Sequence, residues 1–178
     1  FRSQEKVDLA TATLSYDEFA DVVIVIEAVP EVMNIKKKVF AELEEVCPEH
    51  TIFTTNTSAL SISEMGAATK RAHKMVGMHF FSPAHIMKLV EVIPGLDTSQ
   101  ETIDDVVMFA ESLRKIPVVV KECPGFLVNR LLMPYLNEAA LALQEGAATA
   151  QEIDEAMVAF GWPMGPFTLM DMLGIDVI

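Results

Sequence analysis

Segments typical of β-strands occur only before residue 122, and this asymmetry most constrains the fold. The segments are short, are rich in Val, Ile, Thr and Phe, and lie at 22–26, 51–55, 74–80, 87–93 and 117–121. Helical patterns lie between them, including apolar residues at helical spacing from Ile35 to Val46. Ser61 and Thr98 each precede a Glu by three positions, which predicts capping boxes. The alternation predicts an α/β fold with an open, largely parallel sheet over residues 1–121.

The rest of the chain has helical patterns and no strand signal. The predicted helices are 126–145 with a kink at Pro134, a helix that Thr149 and Glu152 cap and that ends near Gly161, and 166–173. We therefore expect residues 122–178 to begin an all-helical domain, joined to the sheet through Glu122-Cys123-Pro124-Gly125.

Composition limits the classes of protein to which the chain can belong. Hydrophobic residues make up 51% and charged residues 22% of its 178 residues, which favours a globular domain over a disordered chain. The net charge of -13 argues against nucleic acid and anionic membrane surfaces as partners, and the apolar runs are far shorter than a membrane span. The 2 cysteines provide neither a disulfide framework nor a zinc spacing, so we predict a reducing compartment and no metal centre.

Polar residues follow the predicted strands at the positions where ligands of open α/β sheets bind. Such ligands lie beyond the carboxyl ends of the strands. The residues there are Glu27 to Glu31, Asn56 to Ser58, His79, and Asn129 with Arg130 after the Pro124-Gly125 turn. Because the topology of such a sheet brings these ends together, they are the candidates for a binding or catalytic site.

His79 and Glu91 have the most specific chemistry among the candidates. His79 is flanked by Met and Phe residues, and Glu91 stands among four large aliphatic residues in its strand. Taken singly, the histidine fits a core residue with satisfied ring nitrogens, and the glutamate fits either a side chain facing water or one that holds a histidine. Pairing of the two strands would give a carboxylate-oriented imidazole suited to general base catalysis.

The other polar candidates also have structural interpretations. Ser58 is typical of a turn or capping hydroxyl, and Asn129 with Arg130 of an exposed pair on a helix. The run Lys36-Lys37-Lys38 is typical of a solvated helix face. The residue pattern alone therefore assigns no function to these positions.

Five linked motifs identify a family. In chain order they are Asn56-Thr57-Ser58-Ala59-Leu60, His79-Phe80-Phe81-Ser82-Pro83, Lys88-Leu89-Val90-Glu91-Val92-Ile93, Pro124-Gly125-Phe126-x-x-Asn129-Arg130 and Pro163-Met164-Gly165-Pro166. Through them the chain closely resembles the L-3-hydroxyacyl-CoA dehydrogenases over nearly its whole length. The resemblance implies a partial Rossmann-type, doubly wound sheet before a helical C-terminal domain, NAD as cofactor, an acyl-CoA substrate and a homodimer in the intact protein. It further implies oxidation of (S)-3-hydroxyacyl-CoA to 3-oxoacyl-CoA, in fatty acid β-oxidation or butyrate-type metabolism.

The resemblance also implies roles for single residues. His79 is the expected general base that removes the 3-hydroxyl proton, and Glu91 is the expected carboxylate that orients it. Ser58 is expected to hydrogen-bond the substrate oxygen near the nicotinamide, and Asn129 to contact the substrate and help close the cleft. The positions expected to line NAD are Ala28, Glu31, Lys36, Asn56 and Ser58.

Departures from the family pattern lead to further expectations. No G-x-G-x-x-G motif occurs, so the family's first βαβ unit would precede Phe1, and the helical domain would continue past Ile178. We therefore expect a fragment of a longer protein that is not active alone. Ser82-Pro83 stands where single-function members commonly have Asn-Pro, and is similar to the dehydrogenase part of multifunctional β-oxidation proteins.

Two other functions are compatible with the sequence. One is a related dehydrogenase that acts on a hydroxy acid without CoA, and the other is a non-catalytic interaction or dimerisation module. Substrate choice separates the first from our interpretation, and NADH binding separates the second. The expected location is the cytoplasm, or the mitochondrion or peroxisome if the organism is a eukaryote.

Overall fold

Five short strands form one sheet in the first part of the chain. The computed structural model describes residues 9–174. Its strands are β1 Ile24–Glu27, β2 Ile52–Thr55, β3 Met75–Phe80, β4 Leu89–Pro94 and β5 Ile116–Val119. They lie in the order β1-β2-β3-β4-β5, and all neighbours are parallel except β3 and β4, which are antiparallel. The predicted α/β class with a largely parallel sheet is confirmed.

Three helices connect the strands. They are α1 Met33–Val46, α2 Ile62–Ala67 and α3 Gln100–Ser112, and two short 3-10 helices lie at Phe19–Asp21 and Ala72–Lys74. Ser61 caps α2, because its hydroxyl accepts a hydrogen bond from the Glu64 amide at 3.1 Å, but the Glu64 carboxylate pairs with Lys37 and does not complete the predicted capping box. The predicted cap of α3 is wrong by one residue: Ser99 caps the helix, whereas the Thr98 hydroxyl accepts from the Gly95 amide at 2.8 Å.

Apolar side chains cover both faces of the sheet. The face under α3 carries a core cluster of Ile52, Val76, Met78, Val90, Val92, Val106 and Ala110. The opposite face packs on α1 and α2, where the rings of Phe40 and Phe53 have centroids 5.5 Å apart. Gly77 lies on this second face, and a Cβ there would come within 2.9 Å of the Ile62 Cδ1 and 3.0 Å of the Ile93 Cβ. The close packing of α2 on β3 and β4 therefore depends on the absence of a side chain at Gly77.

The buried stripe of α1 differs from the expected one. The spacing from Ile35 to Val46 predicts a stripe that includes both of these residues, yet both are exposed by about two fifths, at 41% and 38%. The residues of the helix that are buried are Lys36, Phe40 and Leu43. The stripe is therefore rotated, and it places a lysine in the interior.

Residues 123–174 form a separate helical unit. The described residues divide into two compact units at the Glu122–Cys123 bond. The helices of the second unit are α4 Val128–Gln144, which contains Pro134, α5 Ala150–Phe160 and α6 Pro166–Leu173, and its described residues include no strand. The capping box of Thr149 and Glu152 is present, and Gly161 ends α5 with a positive φ of 123°, as the sequence predicts.

Glu122, the last residue of the first unit, is held at the amino terminus of α2. Its carboxylate accepts hydrogen bonds from the Ser61 hydroxyl at 2.6 Å, from the Ser63 amide at 3.1 Å, and from the Ser63 hydroxyl. Burial acts to raise the pKa of Glu122, but these hydrogen bonds outweigh it and lower the pKa below its ordinary value. The ionised carboxylate thus fixes the point at which the chain leaves the sheet.

Asp154 on α5 caps the amino terminus of α6. The residue preceding that helix, Gly165, has no side chain, and a Cβ at this position would overlap the Asp154 carboxylate. Asp154 accepts hydrogen bonds from the amides of Phe167 at 2.8 Å and Thr168 at 2.9 Å, and from the Thr168 hydroxyl at 2.6 Å. Partial burial acts to raise the pKa of Asp154, but the hydrogen bonds outweigh it and lower the pKa.

Substitution Asp154→Asn should therefore destabilise α6 at neutral pH. We expect a loss of about 1 kcal/mol, because the amide keeps one acceptor oxygen but loses the negative charge and the second acceptor, measured by hydrogen exchange at the Phe167 and Thr168 amides in the intact protein. Because the folded pKa is lowered, the stabilisation is complete above the ordinary pKa of about 3.9 and is lost as the pH falls through the lowered value. Asp171→Asn, an exposed change in the last turn of the same helix, is the matched control and should not destabilise it. Equal exchange in the two variants would contradict the cap.

Candidate active site

His79 and Glu91 form a buried pair in the middle of the sheet. They are direct partners across β3 and β4, and the His79 Nδ1 lies 2.8 Å from the Glu91 Oε2. The exposed fractions are 5% for the histidine and 1% for the glutamate. Glu91 therefore does not face water, and of its two sequence interpretations the structure shows the one in which it holds a histidine.

The pair fixes the chemistry of the imidazole. A carboxylate only accepts hydrogen bonds, so the proton of the neutral ring belongs at Nδ1 and the basic lone pair at Nε2. The ring of Phe81 packs beside His79, with centroids 4.6 Å apart, and the side chain of Glu91 is 1% exposed. In such surroundings a carboxylate both orients the ring and stabilises the imidazolium that forms when Nε2 takes up a proton.

Asn56 connects the carboxyl ends of three strands. Its backbone amide donates to the carbonyl of Glu27 at 2.8 Å, which extends the pairing of β1 and β2. Its side-chain Oδ1 accepts from the amide of Phe80 at 2.9 Å, one residue after His79. The residues that follow β1 and β2 are therefore fixed relative to the end of β3 that carries the histidine.

Glu31 holds the turn that contains Ser58. Its Oε1 accepts a hydrogen bond from the Ser58 amide at 2.9 Å and another from the Thr57 hydroxyl. Burial acts to raise the pKa of Glu31, but these bonds and nearby Lys36 outweigh it and lower the pKa. The hydroxyl that caps the turn is that of Thr57, which accepts from the Leu60 amide at 2.9 Å, whereas Ser58 is exposed. The capping role considered for Ser58 therefore belongs to its neighbour.

Lys36 is buried, so its interpretation as part of a solvated face is wrong. Its side chain is 0% exposed, and its Nζ lies 2.9 Å and 3.1 Å from the two carboxylate oxygens of Glu27. It also lies 3.2 Å from the Val29 carbonyl and 3.3 Å from the Glu31 Oε2. Lys36 is thus held between Glu27 and Glu31, and its predicted contact with NAD stays a prediction. Its neighbour Lys38 does lie outside, with its side chain 78% exposed.

Glu27 is among the candidates that follow β1, but the sequence interpretation did not predict its burial or its pairing with Lys36. It is 3% exposed and accepts hydrogen bonds from the Lys36 ammonium, from the Val29 amide at 2.6 Å and from the Thr55 hydroxyl at 2.6 Å. An acidic residue at the end of an otherwise apolar strand, nine positions before a lysine on the following helix, is the signal that could have revealed the pair.

The remaining predicted site residues lie in different places. Ala28 is exposed directly after β1. Asn129 is half-buried at the second residue of α4, in the helical unit, and its role stays a prediction.

Comparison with protein families agrees with this arrangement. Residues 2–123 match the family described as 3-hydroxyacyl-CoA dehydrogenase, NAD binding domain, and residues 125–178 match the one described as 3-hydroxyacyl-CoA dehydrogenase, C-terminal domain. The chain belongs to this family. The resemblance drawn from the five motifs is thereby confirmed, as is the expected fold of an NAD-binding sheet domain followed by helices.

Individual relatives carry related names. The chain is 50% identical over 169 residues to the 3-hydroxybutyryl-CoA dehydrogenase of Clostridioides difficile, covering 94% of this chain and 60% of the relative. It is 52% identical over 164 residues to the fatty acid oxidation complex subunit alpha of Acinetobacter baylyi, covering 92% of this chain and 23% of the relative. The crystal structure of (S)-3-hydroxybutyryl-CoA dehydrogenase PaaH1 from Ralstonia eutropha has a TM-score of 0.89 at 43% identity, covering 93% of this chain and 59% of that one. The chain thus spans 60% or less of the length of these proteins.

The described residues contain no helix that could span a membrane. Within residues 9–174, no helix combines the length and the apolar character that crossing a bilayer requires.

Proposed function

We propose that the intact protein oxidises (S)-3-hydroxyacyl-CoA to 3-oxoacyl-CoA with NAD, in fatty acid β-oxidation or butyrate-type metabolism. The observation that carries the proposal is the buried contact of 2.8 Å between the His79 Nδ1 and the Glu91 Oε2. A carboxylate-held imidazole within a sheet of this family is suited to removing the proton of a hydroxyl group at neutral pH.

His79 is the proposed general base. Its Nε2 takes the proton of the substrate's 3-hydroxyl, and the charge that develops on the ring is stabilised by Glu91. The reverse reaction uses the same atoms, with the imidazolium returning the proton to the 3-oxo oxygen. When bound, NAD supplies the acceptor for the hydride that leaves the substrate carbon.

The polar groups after β1 and β2 fit an NAD site. Glu31 keeps 43% of its side chain exposed and is ionised, so it can accept hydrogen bonds from ribose hydroxyls. Ser58 and the backbone near Ala28 are exposed on the same unit, and Asn56 lies between them and β3. We propose these four residues as the cofactor side of the site. Lys36, whose Nζ lies 3.3 Å from the Glu31 Oε2, is proposed to position Glu31 and to line the cofactor site beside it.

Substrate and subunit contacts complete the proposal. Ser58 is proposed to hydrogen-bond the substrate oxygen, and Asn129 to contact the substrate from the helical domain. The domain division proposed is an NAD-binding domain at 1–121 and the start of a helical dimerisation domain at 122–178. The proposed form of the intact protein is a homodimer in the cytoplasm, or in the mitochondrion or peroxisome of a eukaryote.

The test is NADH consumption by the intact protein with acetoacetyl-CoA. We expect rapid loss of NADH absorbance with the CoA ester and little with acetoacetate at the same concentration. Faster turnover of the free acid would favour the related dehydrogenase without a CoA substrate. Binding of NADH without turnover of either compound would reject the proposed reaction.

A further inference from the structure

We propose that Glu27 is a positioning residue of the active site, which acts through Lys36 and Glu31 on the turn that carries Ser58. This inference rests on the proposed function, because Ser58 is the group through which it would affect the reaction. It adds Glu27 to the site, and it assigns to Lys36 a positioning role toward Glu31.

The contacts form a continuous chain from the interior to the surface. Glu27 is 3% exposed, Lys36 is 0% exposed, and the side chain of Glu31 is 43% exposed. The Lys36 ammonium joins the two carboxylates, at 2.9 Å from the Glu27 Oε1 and 3.3 Å from the Glu31 Oε2. The other oxygen of Glu31 then accepts the amide of Ser58 at 2.9 Å and the hydroxyl of Thr57.

The burial of Lys36 explains how Glu27 affects the position of the Glu31 carboxylate. A buried ammonium requires compensating charge, and here Glu27 provides it with both carboxylate oxygens. Without that charge, Lys36 would depend on Glu31 alone. The carboxylate of Glu31 would be drawn toward the ammonium and away from the Thr57–Ser58 turn, because within residues 9–174 Glu27 and Glu31 are the acidic side chains that pair with Lys36.

The surroundings of Glu27 also specify a carboxylate rather than an amide. Its Oε1 accepts from the Val29 amide at 2.6 Å and from Lys36, and its Oε2 accepts from Lys36 and from the Thr55 hydroxyl. A glutamine side chain would direct its NH₂ group at the Lys36 ammonium in either orientation. Glu27→Gln therefore removes the charge and disturbs the contact while keeping the size of the side chain.

The first readout is hydrogen exchange at the Ser58 amide, measured by NMR on the full-length protein. We expect Glu27→Gln to accelerate this exchange by roughly 10-fold, because the acceptor at Glu31 is displaced. Glu64→Gln is the matched control, since it removes a second Lys–Glu pair, to Lys37 at 2.7 Å, whose side chains are 30% and 54% exposed. Its Ser58 exchange should equal that of the unaltered protein. Unchanged exchange in Glu27→Gln would overturn the proposal whether or not the protein has the proposed activity.

The second readout is a double-mutant cycle on kcat/KM with acetoacetyl-CoA. Glu27→Gln should lower kcat/KM by roughly 10- to 100-fold, the scale on which a slight misplacement of a reacting group acts. In a Ser58→Ala background at saturating NADH, where a weakened contact of Glu31 with the cofactor does not contribute, the same change should have almost no further effect, because both substitutions remove one function. Independent, multiplicative losses would show a general structural role and overturn the positioning of Ser58. Absence of turnover in the unaltered protein would reject the proposed function, and the exchange measurement would still decide the link from Glu27 to Ser58.

Thr55→Val provides a milder change in case Glu27→Gln does not fold. It removes one hydrogen-bond donor from the Glu27 Oε2 while leaving every charge in place. We expect the same two effects on a smaller scale, with kcat/KM lowered by roughly 3- to 10-fold and dependent on Ser58. A loss that persists fully in the Ser58→Ala background would again contradict the proposal.

Discussion

Substitution His79→Gln in the intact protein is expected to lower the rate of NADH consumption with acetoacetyl-CoA by about 10²–10⁴-fold, the usual contribution of a general acid or base. Glutamine approximates the size of the ring and can still donate a hydrogen bond to Glu91. It cannot carry a proton between the side chain and the substrate at neutral pH. The loss should therefore appear in kcat, while binding of NADH, followed by its fluorescence, stays close to that of the unaltered protein.

An exposed histidine of the same unit is the control for this measurement. His73 lies in the short 3-10 helix before β3, at the end of the strand opposite to His79, and its side chain is exposed. His73→Gln should leave both turnover and NADH binding unchanged. Equal rates for His79→Gln and the unaltered protein would leave the fold and the family as they are but would remove His79 from the mechanism.

The pairing of His79 with Glu91 could be predicted because the relevant information is local. Each residue is the polar member of an otherwise apolar strand, and the strands are consecutive and joined by a short loop. Antiparallel pairing of these strands places the two polar residues directly opposite each other, in the register that pairs His79 with Glu91 and Phe80 with Val90. The rule that ligands lie beyond carboxyl ends would not have found Glu91, because β4 runs opposite to β3.

The role of Lys36 could not be predicted in the same way, because composition alone does not distinguish it from the two lysines that follow it. The register of α1 distinguishes them: Lys36, Phe40 and Leu43 are separated by four and three positions and share the buried stripe. The competing stripe through Ile35 has more aliphatic residues, so apolar spacing alone favours the wrong face. The burial of Lys36 is explained only by Glu27, whose carboxylate on β1 forms an ion pair with the Lys36 ammonium on α1.

The cap of α3 also could not be predicted correctly from the local sequence. Thr98 and Ser99 are adjacent residues with hydroxyl groups, and both can cap a helix. The choice depends on the carbonyl of Met75, which accepts a hydrogen bond from the Thr98 hydroxyl at 2.5 Å and so engages that group elsewhere. Such competition comes from a residue distant in sequence, and it moves a predicted helix start by one position.

Glu91→Gln should be nearly as damaging to turnover as the loss of His79, and by a different route. If the amide oxygen of the glutamine faces Nδ1, the ring keeps its orientation but the imidazolium loses the negative charge that stabilises it. If the amide NH₂ faces Nδ1, the neutral ring carries its proton at Nε2 and cannot act as the base. Either arrangement acts on the transition state, so we expect kcat to fall by about 10²–10⁴-fold with little change in KM.

The surroundings of Glu91 strengthen this expectation, because its side chain is 1% exposed and water cannot replace the missing charge. Glu101→Gln, at an exposed position in the first turn of α3, is the matched control and should leave kcat unchanged. Thermal unfolding of both variants separates a catalytic loss from a folding defect. If Glu91→Gln keeps its fold and raises KM while kcat is preserved, Glu91 contributes to substrate binding and the imidazolium does not depend on its charge.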